Sequence, residues 1–228
     1  MPLPIYLAMT AAEFRKNPEI SAKMAWMACH FSPYGTGLSN CPAELPEGSM
    51  LIVNDRTPIY GHDPQRIAHQ LLDLTAQLGC SRVLLDLQRP ADPLAKDVVQ
   101  AVLQALPCPV GVSEGYAADL DCPIFLPPIP LLENPDDYLA PWRNREVWLE
   151  LAWDAACYTV TKTGCETSPC PPLGAYPHED GLLCCRYRIE IGNDRVFFHV
   201  RRNSNALIEK LKSMRNITCL VGLYQELG

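Results

Sequence analysis

The chain has 228 residues, 48% of them hydrophobic, and carries 26 acidic against 19 basic side chains for a net charge of −7. That balance argues against a general nucleic-acid or anionic-membrane partner, which would need a basic surface. No apolar run approaches the ~20 residues of a membrane helix, and the opening residues lack the basic and long apolar segments of an export signal, so a soluble, cytoplasmic protein is expected.

A short apolar run ending in polar residues recurs along the chain. Ile5 to Thr10 reads as a first strand and Trp26 to Ser32 (WMACHFS) as a second, followed by a glycine-rich loop to Ser39 and a strand over Met50 to Val53. From Pro64 to Leu78, Ile67, Leu71, Leu74 and Leu78 recur at helical spacing, with Asp63 placed to cap the start and Gly79 to end it. A strand at Val83 to Leu87 and a helix from Pro93 to Leu106 repeat the unit, and strand, helix, strand in this order demands a parallel, right-handed crossover. Shorter units follow: strands at Val110 to Ser113 and Ile124 to Leu126, a turn or helix at Tyr116 to Leu120, and a helix around Pro135 to Leu139. Glu146 to Trp153 and Leu220 to Leu223, the latter fed by a helix over Ser204 to Met214, complete about eight parallel-strand segments, the number that closes a barrel.

Between Ala155 and Arg202 the alternation stops. CYTVT, a Pro/Cys-rich loop, CCRYRIEI, the turn Gly192-Asn193-Asp194 and RVFFHV form an antiparallel hairpin pattern. The expected architecture is therefore a single α/β domain over residues 1–228. It is a TIM-barrel-like (β/α)8 fold with abbreviated helices and a late antiparallel hairpin insertion at 155–202.

Period-two alternation assigns the lumen. In RVLLDLQ the apolar set Val83, Leu85 and Leu87 faces the helices, leaving Leu84, Asp86 and Gln88 inward. The same argument turns Trp148 and Glu150 inward, together with Tyr224 and Glu226 from the last strand and Trp26, Ala28 and His30 from the second. Glu114 ends a fifth strand, although strict alternation would turn it outward. Buried carboxylates are costly unless paired, and barrel sites sit at the carboxyl ends of strands, so these residues form the candidate site. Asp86, Glu150 and Glu114 are its candidate catalytic carboxylates; Gln88, Trp148, Tyr224, His30 and Glu226 are its candidate binding groups. The alternative is a structural network of buried hydrogen bonds.

The segment LLDLQRP, following a barrel helix, resembles the fourth-strand motif of family 18 glycoside hydrolases, the chitinase-like barrels, in which spaced carboxylates end in a catalytic Glu. Asp86 matches the Asp two residues before that Glu, and Gln88 stands where the Glu belongs. The late antiparallel insertion and the inward Trp148 are also similar to that group. The resemblance implies a barrel acting on or binding a carbohydrate, and the loss of the acid removes that family's proton donation to the leaving group. Cleavage would then need Glu150 as acid, its pKa raised by desolvation beside Trp148, with Asp86 stabilising developing positive charge. Asp86 with Glu150 or Glu114 would supply the two carboxyl groups, about 5–5.5 Å apart for retention or about 6.5–9.5 Å for inversion. The other reading is an inactive barrel serving as a ligand-binding or protein-interaction module.

The 11 cysteines are odd in number and several lie in apolar runs, so free thiols are expected. Cys165, Cys170, His178 and Cys184 or Cys185 have the chemistry for tetrahedral zinc, but ordinary hairpin cysteines are the simpler expectation and no metal is assigned. Tyr34-Gly35-Thr36-Gly37 is too short for a dinucleotide fingerprint, so no cofactor is implied. RVFFHV, with Phe197 and Phe198, has the character of an edge strand that could pair with a partner chain. Oligomeric state is left open.

Overall fold

The computed structural model describes residues 3–16, 23–56, 61–89, 93–152, 154–169 and 176–227, with Ala11, Pro169, Asp180, Glu226 and Leu227 described by their backbone only. In chain order the strands and helices are β1 (Ile5–Met9), α1 (Ala11–Lys16), β2 (Met24–Phe31), β3 (Leu38–Ser39), β4 (Met50–Asn54), α2 (Pro64–Leu78), β5 (Arg82–Asp86) and α3 (Pro93–Ala105). They continue with β6 (Val110–Ser113), α4 (Glu114–Ala117), β7 (Ile124–Leu126), α5 (Pro135–Leu139), β8 (Val147–Leu151), β9 (Ala155–Thr161) and β10 (Gly164–Pro169). The last are β11 (His178–Asp180), β12 (Leu183–Glu190), β13 (Arg195–Arg202), α6 (Ser204–Lys212), β14 (Ile217–Leu223) and α7 (Tyr224–Leu227). No described helix is long and apolar enough to cross a membrane.

The chain divides into two compact units, the first made of Met1–Pro128, Trp142–Leu151 and Asn216–Gly228. It is a closed parallel barrel in the order β1-β14-β8-β7-β6-β5-β4-β2, with β2 returning to β1. Ile5 pairs with Leu220 on one side and Leu7 with Met24 on the other, so the first and last strands meet as barrel closure requires. The short β3 runs antiparallel beside β2.

The helices form where the sequence signals them. Asp63 accepts a hydrogen bond from the Gln65 N–H at 3.0 Å, Pro64 occupies the first turn, and Gly79 ends α2 in the left-handed region at φ 61. Ile67, Leu71 and Leu78 of α2 are buried, as are Val98, Val99 and Val102 of α3.

Inside the barrel Tyr6, Ala25, Met50, Trp148 and Cys219 share one apolar cluster with Ala8, Ile52, Leu84, Phe125 and Val221. Trp148 is 0% exposed, and its ring fills the space above Gly111, where a Cβ would lie only 2.2 Å from Trp148 Cε3. The Arg82 guanidinium lies 5.6 Å from the Tyr6 ring and 5.8 Å from the Trp148 ring, and donates to the Tyr6 hydroxyl at 2.7 Å.

Two strands depart from the expected facing. On β2, Ala25 and Met27 belong to the lumen cluster, whereas Trp26 and Ala28 face outward. On β14 the lumen receives Cys219, Val221 and Leu223. Both strands carry a register irregularity, between Trp26 and Cys29 in one and between Ile217 and Cys219 in the other. Apolar residues occupy both alternating sets of each strand, so alternation pointed inward only through polar residues near the carboxyl ends.

The second unit comprises Ile129–Pro141 and Ala152–Arg215. Its antiparallel sheet has the order β10-β9-β13-β12-β11. RVFFHV is therefore not an edge: β13 is paired by β9 on one side and β12 on the other, which leaves it no free ladder for a partner. Tyr158, Phe198 and Tyr187 lie opposite one another across three strands on one face. At the end of β13, Arg202 is buried and donates to the carbonyls of Ile129 at 3.3 Å and Pro130 at 2.6 Å.

Candidate functional site at the carboxyl end of the barrel

A cavity of about 420 Å³ opens at the carboxyl ends of the barrel strands, within the range of small-molecule sites. Ala8, Ile52, Leu84, Phe125 and Val221 reach up from the lumen cluster as an apolar floor, joined by Met27 and Leu223. The rim is polar: Asn54, Asp55 and Arg56 from the end of β4, Asp86, Gln88 and Arg89 from the end of β5, and Glu150 from β8.

The loop after β5 is built on Asp55, which is 5% exposed. Its carboxylate accepts from the backbone N–H of Gln88 at 3.0 Å and of Arg89 at 2.8 Å. The Arg89 side chain in turn donates to the carbonyls of Asp55 at 2.9 Å and Arg56 at 3.0 Å. Both strand ends are thus tied together by a buried carboxylate that is itself fully engaged, the arrangement that makes burial of such a group tolerable.

Asp86 is held differently. Burial pushes its pKa above the ordinary aspartate value, and the negative charge of Asp55 pushes in the same direction, while hydrogen bonds from the Gln88 amide and the Ser113 hydroxyl pull it back. No cation is among these influences. Ser113 also accepts from the Leu87 N–H at 2.9 Å, so the amide and hydroxyl that steady Asp86 are parts of the strand ends themselves.

Asp86, Gln88 and Glu150 therefore meet in one cavity. β5 and β8 are three strands apart in an eight-stranded ring, which sets Asp86 and Glu150 on nearly facing walls. Glu114, the first residue of α4, lines an adjoining cavity of about 350 Å³ that shares Gln88, Arg89 and Phe125 with the first. Trp148 lies in the buried cluster below and offers no face to a ligand. Tyr224 begins α7 and is not among the lining residues, because the shifted β14 presents Leu223 instead. His30 bonds the Asn40 side chain at 3.0 Å and the Phe31 carbonyl at 2.9 Å and is not among the residues lining the cavity. The Glu226 side chain lies outside the described residues.

Asn54, Asp55, Arg56 and Arg89 were not singled out by alternation. The signal for them is the polar tail of MLIVNDR and of LLDLQR, since groups just past a strand's carboxyl end form the rim whichever face the strand itself presents.

The cysteine and histidine set of the second unit does not assemble. Cys165 is on β10 and His178 on β11, at opposite edges of the sheet, four strand spacings of ~4.8 Å apart across it and offset along it. Cys170 lies outside the described residues, and among those described no group of three potential ligands converges.

No family model matches the chain, and neither does any curated protein sequence. Among solved structures it is similar to the spore cortex-lytic enzyme SleL of Bacillus megaterium QM B1551. The two share 8% sequence identity at a TM-score of 0.57, over 96% of this chain and 70% of that one. The likeness is one of fold.

Proposed function

We propose that this protein is a glycoside-hydrolase-like barrel that binds a carbohydrate at the carboxyl end of its strands. The observation that carries the reading is the lining of the cavity: carboxylates, side-chain amides and guanidinium groups around an apolar floor that includes the ring of Phe125. Hydroxyl groups donate to Asp86 and Glu150, accept from Arg56 and Arg89, and do both with Asn54 and Gln88, while the C–H face of a sugar ring packs on the apolar side. The fold shared with a cortex-lytic enzyme supports the same reading. With an amide at position 88, the strand-5 tip holds no proton donor beyond Asp86, so binding without turnover is the expected behaviour. Glu150, in the same cavity, supports a second reading in which it donates the proton and Asp86 stabilises the developing charge.

Calorimetric titration with neutral and amino-sugar oligosaccharides, run beside hydrolysis assays on chromogenic glycosides, separates the two. Binding is expected, with Asp86→Asn or Glu150→Gln weakening it at least about tenfold, a loss of roughly 1.4 kcal/mol. Turnover abolished by Glu150→Gln would establish the second reading. Failure of every oligosaccharide to bind would refute both.

A further inference from the structure

On the outside of the barrel wall a cavity of about 670 Å³ lies between α1 and the segment that follows β3. Trp26 and Ala28 face it from β2, Phe14 and Arg15 from α1, and Cys41 from the opposite side. Cys41 is exposed, and its Sγ stands 3.8 Å from that of Cys29, a β2 residue that is 0% exposed.

The approach is fixed by the chain around it. β2 and β3 pair antiparallel through His30 with Ser39 and Phe31 with Leu38. Asn40 then takes the left-handed conformation at φ 54, accepts from Trp26 Nε1 at its carbonyl (2.9 Å) and bonds His30 with its side chain (3.0 Å). This turn brings residue 41 back over residue 29. A disulfide needs its sulfurs at about 2.05 Å, so the 3.8 Å separation has to close by a further ~1.8 Å for the two to join.

We propose that Cys29 and Cys41 form a thiol–disulfide exchange site for a low-molecular-weight disulfide such as oxidised glutathione. The Cys41 thiolate attacks one sulfur of that disulfide, its S–S bond breaks, and one thiol leaves with the displaced electron pair and a proton from solvent. The Cys29 thiol, giving up its proton, then attacks Cys41 Sγ in the mixed disulfide and releases the second thiol. The protein pair is oxidised by two electrons and the small disulfide is reduced to two thiols.

The roles follow from the surroundings. A hydrogen bond from the Cys29 thiol lowers the pKa of Cys41, and the same pairing together with burial raises that of Cys29. Elsewhere burial pushes Cys80 up to about 11 and Cys219 up to about 12, which keeps those thiols protonated and slow to react. The site does not depend on the carbohydrate reading. It does adjoin the barrel mouth, because Asn54 donates to the Cys29 carbonyl at 3.0 Å.

The test equilibrates the folded protein with graded mixtures of oxidised and reduced glutathione, alkylates the remaining thiols, and maps peptides by mass. Trypsin cuts after Lys23 and Arg56, and residues 24–56 contain no other cysteine. The expected result is a 24–56 peptide that has lost two hydrogens and escapes alkylation, and that splits into two disulfide-linked pieces on chymotryptic cleavage at Phe31 or Tyr34. Cys29→Ala is expected to stop at a stable glutathione adduct on Cys41, and Cys41→Ser to leave Cys29 unmodified. If Cys29→Ala does not fold, the wild-type map alone decides. A lasting adduct on Cys41 in the wild-type protein, or alkylation of both cysteines at every glutathione ratio, would overturn the proposal.

Discussion

Asp86 carries its charge in a place that resists it. Its pKa is raised chiefly by burial, so the folded state favours the protonated form relative to the unfolded chain. The linkage has a definite sign. The group's contribution to stability is fully present below the ordinary aspartate value and is lost as pH rises through the raised one, so near neutrality the ionised side chain is a liability to folding. Asp86→Asn keeps the shape and still offers an oxygen to the Gln88 amide. It is therefore expected to match or exceed the wild-type melting temperature at neutral pH, with the advantage shrinking towards acid pH. A structural ion pair behaves in the opposite way, since breaking it costs roughly 3–5 kcal/mol. Thermal melts of the variant across pH check this, and a large neutral-pH loss would return Asp86 to the scaffold. Asp86 and Glu150 were legible in the sequence because each is a lone acid between apolar neighbours, where alternation gives one answer. Tyr224 and His30 do not line the cavity: Tyr224 already belongs to α7, and apolar residues fill both alternating sets of β2, so His30 alone was a weak sign of its facing.

At the scale of elements, the local rules read the helices well. Asp63 and Gly79 bound α2 at the residues where a cap and a left-handed stop are needed. The eight barrel strands were equally visible as apolar runs between turn residues. Sheet irregularities were not, because the extra residue between Trp26 and Cys29 in β2, or between Ile217 and Cys219 in β14, leaves no mark in composition while it changes the facing of the residues on its two sides relative to one another. Nor did the run RVFFHV reveal that strands lie on both sides of it, since pairing partners are set by tertiary contacts.

The close packing of β6 against β8 gives a sharp test at the same scale. Trp148 fills the lumen only because Gly111 has no Cβ. Gly111→Ala is expected to destabilise by about 1–3 kcal/mol through overpacking. Gly115→Ala, at a position with open space around it in α4, is expected to be neutral or to stabilise by up to about 1 kcal/mol. Urea denaturation of the two variants measures both, and equal midpoints would show that the tryptophan can shift aside.

At the scale of the whole molecule, the two units solve the strand-edge problem differently. The barrel returns β2 to β1, so none of its eight parallel strands is left with an open ladder, and its lumen and wall are filled by fully buried side chains such as Trp148, Met50 and Leu85. The antiparallel sheet keeps two edges, one of them the three-residue β11, and much of its apolar surface meets solvent: Tyr187 is 50% exposed and Ile189 58%. Buried area sets how much free energy a local opening must overcome, so the two sheets should not open together. Native-state hydrogen exchange followed by mass is expected to show amides of β4, β5, β8 and β14 exchanging only through global unfolding. Amides of β10, β11 and β12 should exchange through a smaller opening with weaker denaturant dependence. Exchange of all these strands with one free energy and one denaturant slope would mean instead that the sheet of residues 155–202 is held by the same cooperative transition as the barrel, and the division into two units would then carry no energetic meaning.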